Sequence, residues 1–251
     1  MEIQNETTLS LPSAAPPQRS GSRALRRLLG TRSAFALHAD DSARRPELQA
    51  YITRCFDRAY GARVTDFAPH LLELSCAGHI NGVAGIRPAS HSRLFLEQYV
   101  DESVEDLATR EFGRVERHEI VELGNLAALR PGACQLINIM LAATLHGAGF
   151  RHAGLVSTAK LEGVIRKQGF AVRSVTRADS ARLGSAAAAW GSYYKTFPNI
   201  LFVDLEKTMA ALRTQRLATG FMDYYRTEII RLSERLATFN RVANSASVPA
   251  Q

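Results

Sequence analysis

Residues 132–148, GACQLINIMLAATLHGA, are almost continuously apolar and hold no Lys, Arg, Asp or Glu. A helix of this composition has no face fit for water, so it must be enclosed by other elements. No uninterrupted apolar run in the chain approaches the roughly 18 residues that cross a bilayer, so the enclosure is protein rather than lipid. Strand-like patterns stand on both sides, at Val115–Leu123 and His152–Ser157. Strands flanking a fully buried helix imply an α/β fold with a mixed sheet packed against it.

The rest of the chain falls into place around that centre. A length of 251 residues with 46% hydrophobic content supports one core with appended arms. Residues 1–32, rich in Ser, Ala, Pro and Arg, read as a disordered basic arm with a short basic helix around Ser22–Leu29. A strand at Ser33–His38 and a helix at Ala43–Tyr60 open the domain, which extends over 33–204. Leu71–Ala77 and Gly82–Arg87 form a hairpin around the Asn81-Gly82 turn signal, and a helical patch covers Leu94–Thr109. A short helix at Lys160–Gln168, a strand at Ala171–Val175 and a strand at Phe197–Asp204 follow the buried helix. Within 205–251, Met222, Tyr225, Ile229, Leu232, Leu236 and Phe239 are spaced by three and four, an amphipathic helix with a narrow seam. That seam docks onto the core or, alternatively, serves a homodimer or a partner.

The net charge of +7 is carried by the ends: seven arginines against four acids in residues 1–45, and seven basic against four acidic residues in 205–251. Basic flanks favour an acidic carrier protein, an anionic membrane surface touched peripherally, or nucleic acid, beside the plain reading of solubility. Aromatic interleaving and a recognisable nucleic-acid module are absent, which argues against the last. Cys55, Cys76 and Cys134 are far apart and lack CxxC spacing, and the seven His lack ligand spacing such as HExxH. The pattern indicates neither a disulfide framework nor a metal site, and suits a reducing compartment. The N-terminus lacks the pattern of a signal peptide, so the expected location is cytoplasmic.

Two carboxylates sit in segments otherwise fit for a core: Glu97 in LFLEQYVD, residues 94–101, and Glu122 in IVELGNLA, residues 120–127. Burying a charge costs several kcal/mol unless it is paired or used. Glu122 should lie near the end of a strand that opens toward a helix N-terminus, where α/β folds place ligands. The structural alternatives are an ion pair from Glu122 to Arg87 or Arg117, and a solvated Glu97 at the edge of an apolar face. For Asn125 the alternative is a cap before the helix, and for Tyr193 and Tyr194 it is half-buried packing.

AGIRPAS at 84–90, LFLEQYVD at 94–101, IVELGNLA at 120–127, Ala178-Asp179 and WGSYY at 190–194 resemble the thermostable hemolysin family over roughly residues 34–204. The order of elements is similar to the GNAT acyltransferase fold. More distantly, the same segments resemble acyl-homoserine-lactone synthases and N-acyl amino acid synthases. Under that likeness Arg87 matches a strand Arg and Glu122 a strand-end Glu, while Asn125 stands where those synthases carry Arg. The resemblance implies an N-acyltransferase that moves a fatty acyl group from a thioester to a small amine or amino acid. Glu122 is then the base, with Glu97 as its rival or as the ligand for the substrate ammonium. Backbone N–H groups over Leu123–Leu126 would meet the oxyanion, and Tyr193 or Tyr194 would protonate the leaving thiolate. Arg130 and Gly132, in AALRPGA at 127–133, occupy the place of the phosphate loop. That turn is a poor version of the usual glycine-rich loop, which favours acyl carrier protein over coenzyme A as donor, with no tightly bound cofactor. The family name suggests the alternative of a membrane-active cytolysin without enzymatic activity.

Overall fold

The computed structural model describes residues 33–130 and 132–246, with side chains to Asn240; the expected basic arm, residues 1–32, and its short helix lie outside the described residues. Strands β1 (Ser33–His38), β2 (His70–Cys76), β3 (His79–Pro88), β4 (Ile120–Ala128), β5 (His152–Ser157), β6 (Ala171–Arg177) and β7 (Asn199–Asp204) make one sheet in the order β1-β2-β3-β4-β5-β7-β6. Neighbours are antiparallel except β4 and β5, which run parallel. A parallel pair needs a crossover, and helix α3 (Ala133–Gly147) supplies it. Every residue of α3 from Leu136 to Leu145 is buried.

Two faces of the sheet are covered differently. On one, α3 lies between the strands and α5 (Leu205–Arg213), α6 (Arg216–Tyr224) and α7 (Arg226–Ala246), which close the core around Phe150, Phe221 and Leu232. Helix α4 (Ala159–Lys167) joins this face through Ile165. On the other, α1 (Arg45–Tyr60) packs Leu48 and Ile52 against Leu71, Val83 and Ala127. Helix α2 (Val104–Phe112) and the preceding 3-10 turn cover Ile120, Ile200 and Phe202 on the same side. The mixed sheet and buried central helix are therefore those of the GNAT-like arrangement that the resemblance implied.

Several boundaries differ from the sequence reading for local reasons. The hairpin reverses at Ala77-Gly78, with φ of 50° and 80°, the left-handed pair that a tight two-residue turn needs. Asn81-Gly82 lies instead inside β3, where Asn81 is the extra residue of an irregularity opposite Leu74 and Ser75. Gly82 answers a packing need: a Cβ there would stand 2.4 Å from Ile137 Cδ1 of α3. The patch at Leu94–Thr109 is not one helix but a 3-10 turn, Leu96–Tyr99, followed by α2, whose start is capped by Ser103 accepting from the Asp106 N–H. The C-terminal seam breaks at Tyr225 between α6 and α7, yet Tyr225, Leu232 and Leu236 are all buried in the main core. It docks onto the domain that carries it.

Candidate active site

Strands β4 and β5 pair from Ile120 opposite His152 to Leu123 opposite Leu155 and then part. Strand β4 stays with β3 as far as Ala128, and the end of β5 stays with β7. The expected strand end at Leu123 is thus the end of its pairing with β5, not of the strand, and Glu122 lies mid-strand, one residue before the parting. A β-bulge sharpens the divergence: Gly85 faces Gly124 and Val83 faces Ala127, so Asn125 and Leu126 stand against Ala84 alone. Asn125 adopts φ 50°, a left-handed conformation that Asn tolerates better than most residues.

A cavity of about 320 Å³ runs through this parting. On the α1 side its wall is aromatic, with Phe56, Tyr60, Phe95, Tyr99, Trp190, Tyr193 and Tyr194. Trp190 is the hub, its ring 5.5 Å from Phe95, 5.6 Å from Tyr193 and 6.2 Å from both Phe56 and Tyr194. On the α3 side the wall is aliphatic, with Leu141, Leu145, Leu161 and Ile165.

Glu122 lines the cavity on its aromatic side. Its carboxylate accepts the N–H of Phe95 at 2.8 Å and of Leu96 at 2.7 Å, and Glu97 accepts the preceding N–H, of Leu94, at 2.6 Å. The two acids hold three successive amides. Arg87, directly opposite Glu122 in the β3–β4 register, brings Nε to 3.9 Å of its carboxylate and donates from Nη2 to Asp66 at 2.8 Å. Burial pushes the Glu122 pKa up to about 7, against the opposing pull of the two amides and the Arg87 guanidinium. An acid that titrates near neutrality can take and return a proton under cellular conditions.

Asn125 fixes the loop that faces Glu122. Its Oδ1 accepts the Ala68 N–H at 2.9 Å and its Nδ2 donates to the Asp66 carbonyl at 3.1 Å, so it ties the Asp66–Ala68 stretch to the bulge rather than capping a helix. Gly85 is required below it, since a Cβ there would lie 2.7 Å from Asn125 Oδ1 and 2.8 Å from Ala68 Cβ. Tyr193 donates its hydroxyl to the Val156 carbonyl at 3.2 Å, and Tyr194 shares a hydrogen bond with the Tyr99 hydroxyl. Burial raises the pKa of Tyr99, Tyr193 and Tyr194, so all three keep their protons at neutral pH.

The chain matches the description "Thermostable hemolysin" over residues 38–209. It belongs to the thermostable hemolysin family. No curated protein matches it in sequence. Among solved structures, FeeM, an N-acyl amino acid synthase from uncultured soil microbes, shares 13% identity with a TM-score of 0.50 over 76% of this chain and 98% of that one. The acyl-homoserine-lactone synthase LasI shares 14% identity with a TM-score of 0.48 over 72% of this chain and 95% of its own. At such identity the likeness to FeeM is one of fold.

In this member of the thermostable hemolysin family the cavity brings together Arg87, Glu122, Leu123, Asn125, Leu126, Tyr193 and Tyr194. It does not bring in Glu97, whose oxygens accept from Leu94, Val104 and both terminal nitrogens of Arg117. Burial alone would raise the Glu97 pKa, but the Arg117 guanidinium and the amides hold it below the usual carboxylate range. Arg117 therefore belongs to Glu97, and the expected ion pair of Glu122 falls to Arg87. Arg130 and Gly132 lie outside the cavity wall, where β4 hands over to α3; Gly132, with φ 86°, caps α3 without a side-chain hydrogen bond. Among the wall residues that sequence reasoning missed are Asp66, Phe56, Tyr60, Phe95, Tyr99, Asn138 and Trp190. Tyr99 was within reach, two places beyond Glu97 in LFLEQYVD, whereas Asp66 lies in an irregular stretch with no pattern to mark it. Among the described residues no cluster of His, Cys, Asp or Glu could hold a metal ion, and no helix is long and apolar enough to cross a membrane.

Proposed function

We propose that this chain is an N-acyltransferase that moves a fatty acyl group from a thioester donor to a small amine or amino acid. One observation carries the reading: a cavity passes through the β4–β5 parting, aliphatic on one side, aromatic on the other, with a neutral-range carboxyl in the wall of the aromatic side. The aliphatic half suits an acyl chain, since each buried methylene gains about 0.8 kcal/mol. The aromatic half, with Arg87 and Asp66 at its edge, suits the acceptor.

In this reading Glu122 removes a proton from the acceptor ammonium, directly or through a water, and the freed amine attacks the thioester carbonyl. Among the described residues β4 has no strand partner on its β5 side beyond Leu123, which leaves backbone groups of Gly124–Leu126 to meet the tetrahedral oxyanion. The C–N bond forms and the C–S bond breaks; the thiolate takes a proton from the Tyr193 or Tyr194 hydroxyl or back from Glu122, the second proton of the attacking nitrogen replaces it on that group, and Glu122 then releases its proton to solvent. Glu97 performs no chemical step; it fixes the segment on which Phe95 and Tyr99 stand. Arg130 and the open first turn of α3 at Gly132 receive the donor's phosphate. A single phosphodiester needs less of such a turn than a pyrophosphate, so an acyl carrier protein in the cytoplasm is the preferred donor, drawn by the basic flanks.

Mass spectrometry of lipid extracts from cells expressing the wild type or Glu122→Gln tests the reading. New N-acyl amines or amino acids in the first and not the second support it. Their absence, together with no product from purified protein given acyl carrier protein or coenzyme A thioesters and the amino acids, overturns it. Comparison of kcat/KM on the two carriers at low and about 0.5 M salt, where charge is screened within a few Å, decides the donor.

A further inference from the structure

The aliphatic half of the cavity contains one polar side chain from the buried helix. Asn138 is 6% exposed and faces the cavity between α3 and α4, among Leu141, Leu161 and Ile165. Its Nδ2 donates to Gln168 Oε1 at 2.8 Å and lies 3.7 Å from Cys134 Sγ. Among the described residues nothing donates to its Oδ1. Gln168 is itself braced, its carbonyl accepting from Gln215 Nε2 at 3.0 Å. The amide is thus fixed in place by a polar chain reaching out to the α5–α6 junction, with one half left open in an apolar chamber. That open half has access to the cavity, and at this position a leucine would present no polar group to it. With the amide turned about, the open half would donate instead of accept, with the same access to the cavity.

We infer that Asn138 hydrogen-bonds a polar group of the thioester donor as it lies in the cavity, and so sets which donors are used. This rests on the acyl-transfer reading above. The partner chemistry is an N–H or O–H within an otherwise apolar arm. Two parts of a donor offer it: the amides of the pantetheine arm, or a hydroxyl on the acyl chain. The position of Asn138, two turns into α3 from the Gly132 end, lies along the way from the proposed phosphate contact to the chamber, where either could reach.

The test compares wild type, Asn138→Leu and Asn138→Ser with dodecanoyl and 3-hydroxydodecanoyl chains on acyl carrier protein and on coenzyme A, each as substrate with the amino acids as acceptors and as its non-transferable thioether in equilibrium binding. Asn138→Leu preserves the apolar volume, and Asn138→Ser keeps a hydrogen-bonding group should the leucine variant fold poorly. Loss of about tenfold in kcat/KM and in thioether affinity on both chains, the worth of one buried hydrogen bond, identifies the pantetheine arm as partner. A similar loss confined to the hydroxylated chain identifies the acyl hydroxyl. Equal or better use of both chains by both variants overturns the inference. Should the wild type bind the thioethers but transfer nothing, the transferase reading falls while the binding series still decides the role of Asn138. Binding of neither thioether by the wild type overturns both.

Discussion

The carboxylate of Glu122 holds the backbone of Phe95, accepting its N–H at 2.8 Å, so the acid in the sheet and the aromatic wall of the cavity form one mechanical unit. Phe95 in turn packs its ring against Trp190 and Tyr99. A change at Glu122 therefore acts on chemistry and on the wall together, and the two can be separated by pH.

Glu122→Gln should lower acyl transfer by about 10²- to 10⁴-fold, the usual loss for a general base. For the wild type, kcat/KM should rise through a limb centred near the Glu122 pKa of about 7, and the variant should lose that limb. A wild-type rate for purified Glu122→Gln from pH 6 to pH 9 would remove Glu122 from the chemistry and leave it the anchor of Phe95.

The same group sets a stability slope. A carboxyl whose folded pKa is about 7 against an ordinary 4.5 contributes stability that is complete below pH 4.5 and lost as pH rises through 7. Glu122→Gln should therefore gain on the wild type between pH 5 and pH 8 by on the order of 3 kcal/mol in denaturant unfolding. His70 acts in the opposite sense. Burial lowers its pKa to about 4, so its contribution is present above pH 6.5 and lost as pH falls toward 4. A pH-independent difference between wild type and Glu122→Gln would contradict the burial argument.

Asn125→Ala should cost about 2–3 kcal/mol, from the lost hydrogen bonds to Ala68 and Asp66 and from a β-carbon at φ 50°. Asn125→Gly loses the hydrogen bonds but not the backbone fit, and should be about 1 kcal/mol more stable than the alanine variant. Chemical denaturation of both variants checks the ranking; the reverse order would mean that the left-handed backbone carries no strain.

Ala142 is buried and lines the aliphatic half of the cavity, so Ala142→Leu should fill that half. Use of long acyl donors should drop about tenfold or more while short ones are retained, as a shift in chain-length preference by mass spectrometry. An unchanged preference would place the acyl chain elsewhere.

The purified protein should release no dye from protein-free lipid vesicles when thioester and amine are withheld. The seam of Tyr225, Leu232 and Leu236, its best candidate for a lipid-facing surface, is already spent on its own core. Rapid release would favour the cytolysin reading.

Local pattern carried the architecture. An uncharged helix at Ala133–Gly147 cannot face water, and strand-like runs around it leave little besides a layered mixed sheet, so the class and most elements could be read directly. The two unusual acids were also legible, because a carboxylate in an apolar segment is costly wherever the segment goes. Their separate fates were not. Whether Glu122 or Glu97 meets the cavity depends on Arg117 arriving from 20 residues beyond Glu97, and on where β4 leaves β5. The hairpin turn lies at Ala77-Gly78 rather than Asn81-Gly82, and Gly82 instead packs against Ile137, a contact between distant segments that no local pattern encodes. The cavity itself joins α1, the 3-10 turn at Leu96–Tyr99, Trp190 and α3, and no spacing in a linear chain encodes it. Periodicity and the cost of burying charge act within a segment, so sequence alone settled them; pairing, registry and the opening between two strands arise only when segments compete for the same space, and the tertiary structure decided those.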